Sequence, residues 1–165
     1  MTPFDLRAVG YDHPDASSLI QRVQQEYVER YGSPDESRVE AAEFTSPHGV
    51  FVVGYLDGAP VATGAWRVSP IRALGATSAV EVKRMYVLPQ ARRRGLSRLL
   101  LADLELRAVA AGHDLAVLTT GPLQPEAIAL YRAEGYLDIP VFGHYADEPY
   151  LHAFGKVLAP GSSRR

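Results

Sequence analysis

Three consecutive arginines, Arg92-Arg93-Arg94, lead into Gly95-Leu96-Ser97, between an apolar stretch that ends at Pro89 and a leucine-rich stretch that begins at Leu96. A strand-like pattern that passes into a helical one through a short arginine–glycine loop constrains the fold more than any other segment. A helix N-terminus carries the positive end of the macrodipole, so cations are unfavourable there unless an anion joins them. Backbone N–H groups at a helix start, a glycine that permits close approach and flanking arginines together make a phosphate cradle. Taken alone, these six residues also read as a solvated, arginine-rich helix start.

Neighbouring residues shift that balance. Glu81-Val82-Lys83-Arg84-Met85-Tyr86-Val87-Leu88-Pro89 precedes the loop, and the whole stretch resembles the acetyl-CoA-binding core of the GNAT superfamily of N-acetyltransferases. That family's loop reads Arg/Gln-x-x-Gly-x-Gly/Ala; here it reads Arg92-x-x-Gly95-x-Ser97, with a serine as a small departure. Downstream, Thr119-Thr120-Gly121 and Gln124-Pro125-Glu126-Ala127-Ile128-Ala129-Leu130-Tyr131 resemble the family's next strand and its tyrosine-bearing helix. The match is good over residues 79 to 140 and holds only in pattern elsewhere. Two segments in the right order and spacing are a stronger sign than either alone. The resemblance implies an α/β (α+β) GNAT fold: a mixed central sheet with splayed central strands, flanked by helices, the pantetheine arm of acetyl-CoA entering the gap.

Composition sets bounds. A chain of 165 residues, 47% hydrophobic and 22% charged, suits one soluble domain with a real core, expected over residues 1–160 with a frayed tail at 161–165. A net charge of −2 disfavours a general nucleic-acid or anionic-membrane binder. Of 17 basic residues only Lys83 and Lys156 are lysine; arginine suits planar, bidentate anion contacts, although genome composition accounts for such a bias equally well. The absence of cysteine removes disulfides, thiolate metal sites and a cysteine nucleophile. With no signal-peptide pattern and no apolar run of membrane-spanning length, a cytoplasmic location is expected. The oligomeric state is not legible, and a homodimer is left open.

Patterning places the elements. A strand is expected over 3–9 and a helix from Asp12-His13-Pro14-Asp15, with Leu19, Ile20, Val23, Tyr27, Val28 and Tyr31 on one face and Gly32-Ser33-Pro34 as its stop. A short second helix is expected over 36–43. Val50–Leu56 and Val61–Val68 read as a hairpin about Asp57-Gly58. A further strand is expected over 79–88. Leu96, Leu99, Leu100, Leu104 and Ala108 then form the apolar face of a helix that Gly112 ends. A buried strand over 115–120, a helix over 125–134 closed by Gly135, and strands near 136–141 and 150–157 complete the chain.

Acetyl transfer to an amine requires that the amine lose a proton and that the departing thiolate be protonated or stabilised. The resemblance implies a catalytic base at Glu81, acting through a water; the alternatives are a carboxylate paired with Lys83 or Arg84, or one that only binds the amine. Strand alternation puts Glu81, Lys83, Met85 and Val87 on one face. The resemblance also implies that Tyr131 is the acid, since a phenol titrating near about 10 can protonate a thiolate; core packing is the alternative. It further implies that Met85, Tyr86 and Val87 pair with the pantetheine through their backbones. The pyrophosphate is expected on Arg92, Arg93, Arg94, Gly95, Leu96, Ser97 and Arg98, and Gln124 stands where relatives place a pantetheine-contacting asparagine. No metal is expected, because the five histidines lack ligand spacing. Tyr27, Tyr31, Arg67, Phe142, Tyr145, His144 and His152 are the candidates for the acceptor pocket. The implied reaction is direct attack by a primary amine of a small molecule or peptide on acetyl-CoA in a ternary complex. A non-catalytic acyl-CoA-binding or sensing module on the same fold is the alternative.

Overall fold

The computed structural model describes residues 3–35, 39–143, 146–148 and 150–159. The expected tail, His144, Tyr145 and part of the expected second helix lie outside them. Seven strands, β1 (Phe4–Ala8), β2 (Gly49–Leu56), β3 (Ala59–Ser69), β4 (Ala79–Val87), β5 (Leu115–Thr120), β6 (Leu137–Ile139) and β7 (His152–Val157), form one mixed sheet in the order β1-β2-β3-β4-β5-β7-β6. Three α-helices accompany it: α1 (Pro14–Tyr31), α2 (Leu96–Ala110) and α3 (Pro125–Ala133). The chain divides into two compact units, Met1–Arg67 with Val82–Leu104, and Val68–Glu81 with Glu105–Arg165.

In the first unit, helix α1 begins where proline and a side-chain cap coincide. Pro14 occupies the first turn, and His13 Nδ1 accepts the Asp15 N–H at 3.1 Å. It stops at Gly32, whose φ of 82° lets its N–H reach the Val28 carbonyl at 2.8 Å. Its buried stripe is Ala16, Leu19 and Val23; Val28 and Tyr31 lie exposed instead of on the expected face. Of the span 36–43 where a helix is expected, the described part holds a single 3₁₀ turn at Ala41–Phe44, closed by a reciprocal cap in which Glu43 Oε1 accepts the Glu40 N–H at 2.9 Å. Asp57 and Gly58 both have positive φ, 53° and 81°, as the tight turn between β2 and β3 requires.

Helix α2 presents Leu96, Leu100, Leu104 and Ala108 as one buried column, widened by Leu101. Leu99, expected on this face, is 51% exposed. The helix is rolled so that its second apolar column runs through Leu101, which leaves Leu99 on the opposite flank. Each of these leucines, fully buried, contributes about 1.5–3 kcal/mol. The Trp66 indole N–H donates to the Leu104 carbonyl at 3.0 Å and ties β3 to the helix. Gly64 leaves room for the same contact: a Cβ there would lie 2.8 Å from Leu104 and 3.0 Å from the Met85 sulfur.

In the second unit, Ala79, Leu115 and Val117 form a buried centre against which Ile71, Ala73, Ala76, Ile139 and Phe142 pack. Strands β4 and β5 are parallel, and their register runs through Ala79–Leu115, Val80–Ala116 and Glu81–Val117 and ends there. Both strands continue past that last rung, β4 to Val87 and β5 to Thr120. Beyond α2, Asp114 closes the approach to β5. Its carboxylate accepts the Ser78 N–H at 2.8 Å, the Thr77 N–H at 3.1 Å and the Thr77 hydroxyl at 3.0 Å.

The Ser78 and Thr77 backbone donors hold the Asp114 carboxyl below the ordinary aspartate value. A depressed folded-state value means that this group stabilises the fold above its unfolded pKa and loses that contribution as pH falls through its folded pKa. We therefore expect Asp114→Asn to lower the melting temperature at neutral pH, and the difference from the parent to close as pH falls well below about 3.9. Thermal melts of both proteins across that range check it; a constant difference at all pH values would remove the ionic contribution.

Candidate coenzyme cradle and catalytic residues

The loop between β4 and α2 follows an irregular backbone path. After a 3₁₀ turn at Pro89–Ala91, Arg93 adopts φ 66° and Gly95 φ 74°, two left-handed residues immediately before the helix. Such alternation turns successive N–H groups toward one point. The first N–H groups of a helix such as α2 have no acceptor within the helix. A Cβ on Gly95 would meet nothing within 4 Å. Arg93, Arg94 and Arg98 are exposed on this loop and the first turn of α2.

Arg92 behaves differently from its neighbours. Its Nε donates to the Val87 carbonyl at 2.8 Å, its Nη2 to Glu26 Oε1 of α1 at 2.8 Å, and its guanidinium lies 5.5 Å from the centre of the buried Tyr86 ring. The side chain is thus committed to holding the loop against α1 and the end of β4. This also engages the Val87 carbonyl, one of the groups expected to pair with pantetheine. Leu88 donates its N–H to Val61 of β3 at 2.8 Å. Backbone alternation then turns Tyr86 toward β3, and Met85 and Val87 toward the opposite edge.

Mid-strand, β4 departs from regular geometry. Arg84 has φ 59°, and the side chains of Lys83 and Arg84, consecutive in sequence, both reach Asp35 Oδ2, at 3.2 and 2.8 Å. A regular strand sends consecutive side chains to opposite faces, so the alternation expected across Glu81, Lys83, Met85 and Val87 is interrupted here.

The expected catalytic pair lies in the second unit. Glu81 sits on the last shared rung of β4 and β5, half-buried. Tyr131 of α3 is 5% exposed, its ring 5.7 Å from Tyr136 and 6.3 Å from Phe154. Gln124 caps α3 through its backbone carbonyl, which accepts Ala127 N–H at 3.0 Å, while its Oε1 accepts the Thr120 hydroxyl at 3.3 Å. Tyr136 is a structural neighbour: burial and the adjacent Glu105 carboxylate, 2.8 Å from its hydroxyl, raise it well above the usual phenol value.

A family model described as the acetyltransferase (GNAT) family matches residues 17–136. The chain belongs to the GNAT acetyltransferase family. An IAA acetyltransferase of Azospirillum brasilense is 33% identical over 131 residues, 79% of this chain and 82% of that relative. A Klebsiella pneumoniae structure assigned as an acyl-CoA N-acyltransferase superposes with a TM-score of 0.76 at 26% identity, over 94% of this chain and 98% of the other. The PaiA N-acetyltransferase of Thermoplasma acidophilum, solved in complex with coenzyme A, has the same fold at a TM-score of 0.68 and 13% identity, over 94% and 99%. The splayed GNAT sheet expected from the sequence is therefore the fold of this chain.

The expected acceptor-pocket residues that are described each have local partners. Tyr27 and Tyr31 pack edge to face along α1, and Arg67 pairs with Glu43 at 3.0 Å. Phe142 covers the Ala79–Leu115–Val117 centre, and His152 stacks on Phe154. Glu26, Asp35 and Thr63, which no sequence motif marks, pair with Arg92 of the loop and with Lys83 and Arg84 of β4. They lie far from the motif in sequence, and no local pattern marks them. Among the described residues no group of three or more His, Asp or Glu side chains could hold a metal, and no helix is long and apolar enough to cross a membrane.

Proposed function

We propose that this GNAT-family chain is an acetyl-CoA-dependent N-acetyltransferase that acetylates a primary amine of a small molecule or peptide by direct attack in a ternary complex. The observation that carries the proposal is the cradle: left-handed Arg93 and Gly95, open space over Gly95, and exposed Arg93, Arg94 and Arg98 at the start of α2. Backbone N–H groups from Arg93 to Arg98 hold the pyrophosphate, and Arg92 keeps the loop in shape. Met85 and the Val87 N–H supply main-chain partners for the pantetheine amides, and Gln124 takes the place of the asparagine with which relatives contact the pantetheine. Acetyl-CoA supplies the activated acyl group.

Glu81 takes the proton of the acceptor amine through a water. The amine nitrogen then forms its bond to the acyl carbon as the carbon–sulfur bond breaks, and Tyr131 donates its hydroxyl proton to the departing sulfur. Replacing Glu81 by Gln should lower turnover near neutral pH and restore part of it at high pH, where the amine deprotonates unaided. A pH–rate profile checks this. A deficit that is constant with pH would assign Glu81 to acceptor binding.

Acetyl-CoA binding is tested by thermal melts. At about 100 times its dissociation constant the ligand should add roughly 2.7 kcal/mol to stability. No shift at high ligand concentration, with calorimetry also silent, would overturn the proposal. An amine panel with free-thiol detection then tests turnover. Coenzyme binding without turnover on any acceptor would assign the chain to acyl-CoA sensing.

A further inference from the structure

We infer that Asp35 and Thr63 are positioning residues: together they hold Arg84 in a left-handed backbone conformation and so set the ligand-facing edge of β4 at Met85–Val87. The inference rests on the proposed coenzyme reading for what that edge binds. Arg84 is the only residue of β4 with positive φ, 59°. An L-residue resists this region because its Cβ crowds the following carbonyl, and arginine lacks the short polar side chain that eases it for asparagine. Something must therefore hold it.

Two contacts do. The Thr63 hydroxyl donates to the Arg84 carbonyl at 2.6 Å, and Arg84 Nη1 donates to Asp35 Oδ2 at 2.8 Å. One fixes the peptide plane and the other the side chain. Asp35 is itself anchored, since its N–H donates to Gln24 Oε1 of α1 at 2.8 Å. The side chains of Arg84, Lys83 and Asp35 are 5%, 7% and 9% exposed, so the clamp acts where water does not compete.

The arrangement is costly. Besides its backbone, Arg84 has a buried Nε with no hydrogen-bond partner. A left-handed arginine, an unsatisfied donor and two cations on one carboxylate oxygen are not what stability alone would collect at a single position. The geometric consequence lies next along the strand. After the irregularity Met85 packs toward Gly64, and Leu88 re-enters register with Val61. The main-chain groups of Met85 and Val87 are thereby turned to the edge away from β3.

Backbone preference and side-chain charge can be separated at position 84. Glycine accepts a left-handed φ without penalty, whereas alanine removes the guanidinium but keeps the Cβ. Acetyl-CoA affinity is measured by calorimetry on proteins shown to be folded by circular dichroism. Asp35→Ala should bind about tenfold more weakly than the parent, the scale of the left-handed penalty. Asp35→Ala with Arg84→Gly should recover parental affinity, and Asp35→Ala with Arg84→Ala should not. Thr63→Val should weaken binding and Thr63→Ser preserve it. If Asp35→Ala does not fold, Asp35→Asn replaces it, with the same ordering of the double variants. Parental affinity in the folded Asp35 single variant, or equal recovery in the two double variants, overturns the inference while leaving the coenzyme reading intact. A parent that does not bind acetyl-CoA overturns both.

Discussion

Tyr131→Phe should lower turnover by about 10²- to 10⁴-fold, the contribution of a positioned general acid. The ring is 5% exposed and packs against Tyr136 and Phe154. Phenylalanine keeps that packing and removes only the hydroxyl, so the melting temperature and the acetyl-CoA affinity should stay near parental values. The loss should appear in kcat rather than in KM for acetyl-CoA, because the proton is needed only as the carbon–sulfur bond breaks. Steady-state kinetics with the best acceptor from the panel, together with a melt of the same preparation, make the test. An unchanged kcat would return Tyr131 to the aromatic core and leave solvent as the proton source. A lowered kcat with a collapsed melting temperature would point instead to a packing defect around Phe154.

Gly95→Val should reduce acetyl-CoA affinity by about 10²-fold or more, the cost of losing two charge-assisted hydrogen bonds to phosphate. Two effects act together. At φ 74° a β-branched residue is strained, so the loop relaxes and the converging N–H groups lose their alignment. The new side chain also enters the open space above Gly95, where a phosphate would sit. Because that Cβ meets no protein atom, the damage to folding should be confined to the local backbone penalty of about 1–2 kcal/mol. Calorimetry and thermal melts separate the two readings. A folded variant with parental affinity would show that the phosphate loop lies elsewhere.

Much of this was legible in the sequence. Pro14 and Gly32 mark the ends of α1, Asp57-Gly58 marks the hairpin, and Arg92–Ser97 marks the loop that leads into α2, because capping, turn chemistry and loop backbone preference are local properties that neighbouring residues decide. The family followed from two such segments in the right order. What a residue meets from distant parts of the chain is not written beside it in the sequence. Leu99 belongs to a helical apolar pattern as well as Leu101 does, and only the roll of α2 against β3 exposes one and buries the other. Arg92 reads as a phosphate cation, and only the fold adds its pairing with Glu26, 66 residues away. Nothing near Arg84 announces a left-handed residue inside a β-strand; that conformation exists because Thr63 and Asp35, 21 and 49 residues away, meet it there. Local chemistry thus wrote the elements and the loop into the sequence. Long-range pairing alone decided which arginine joins α1 and how β4 is bent, because a hydrogen bond between distant residues depends on the folded path of the chain.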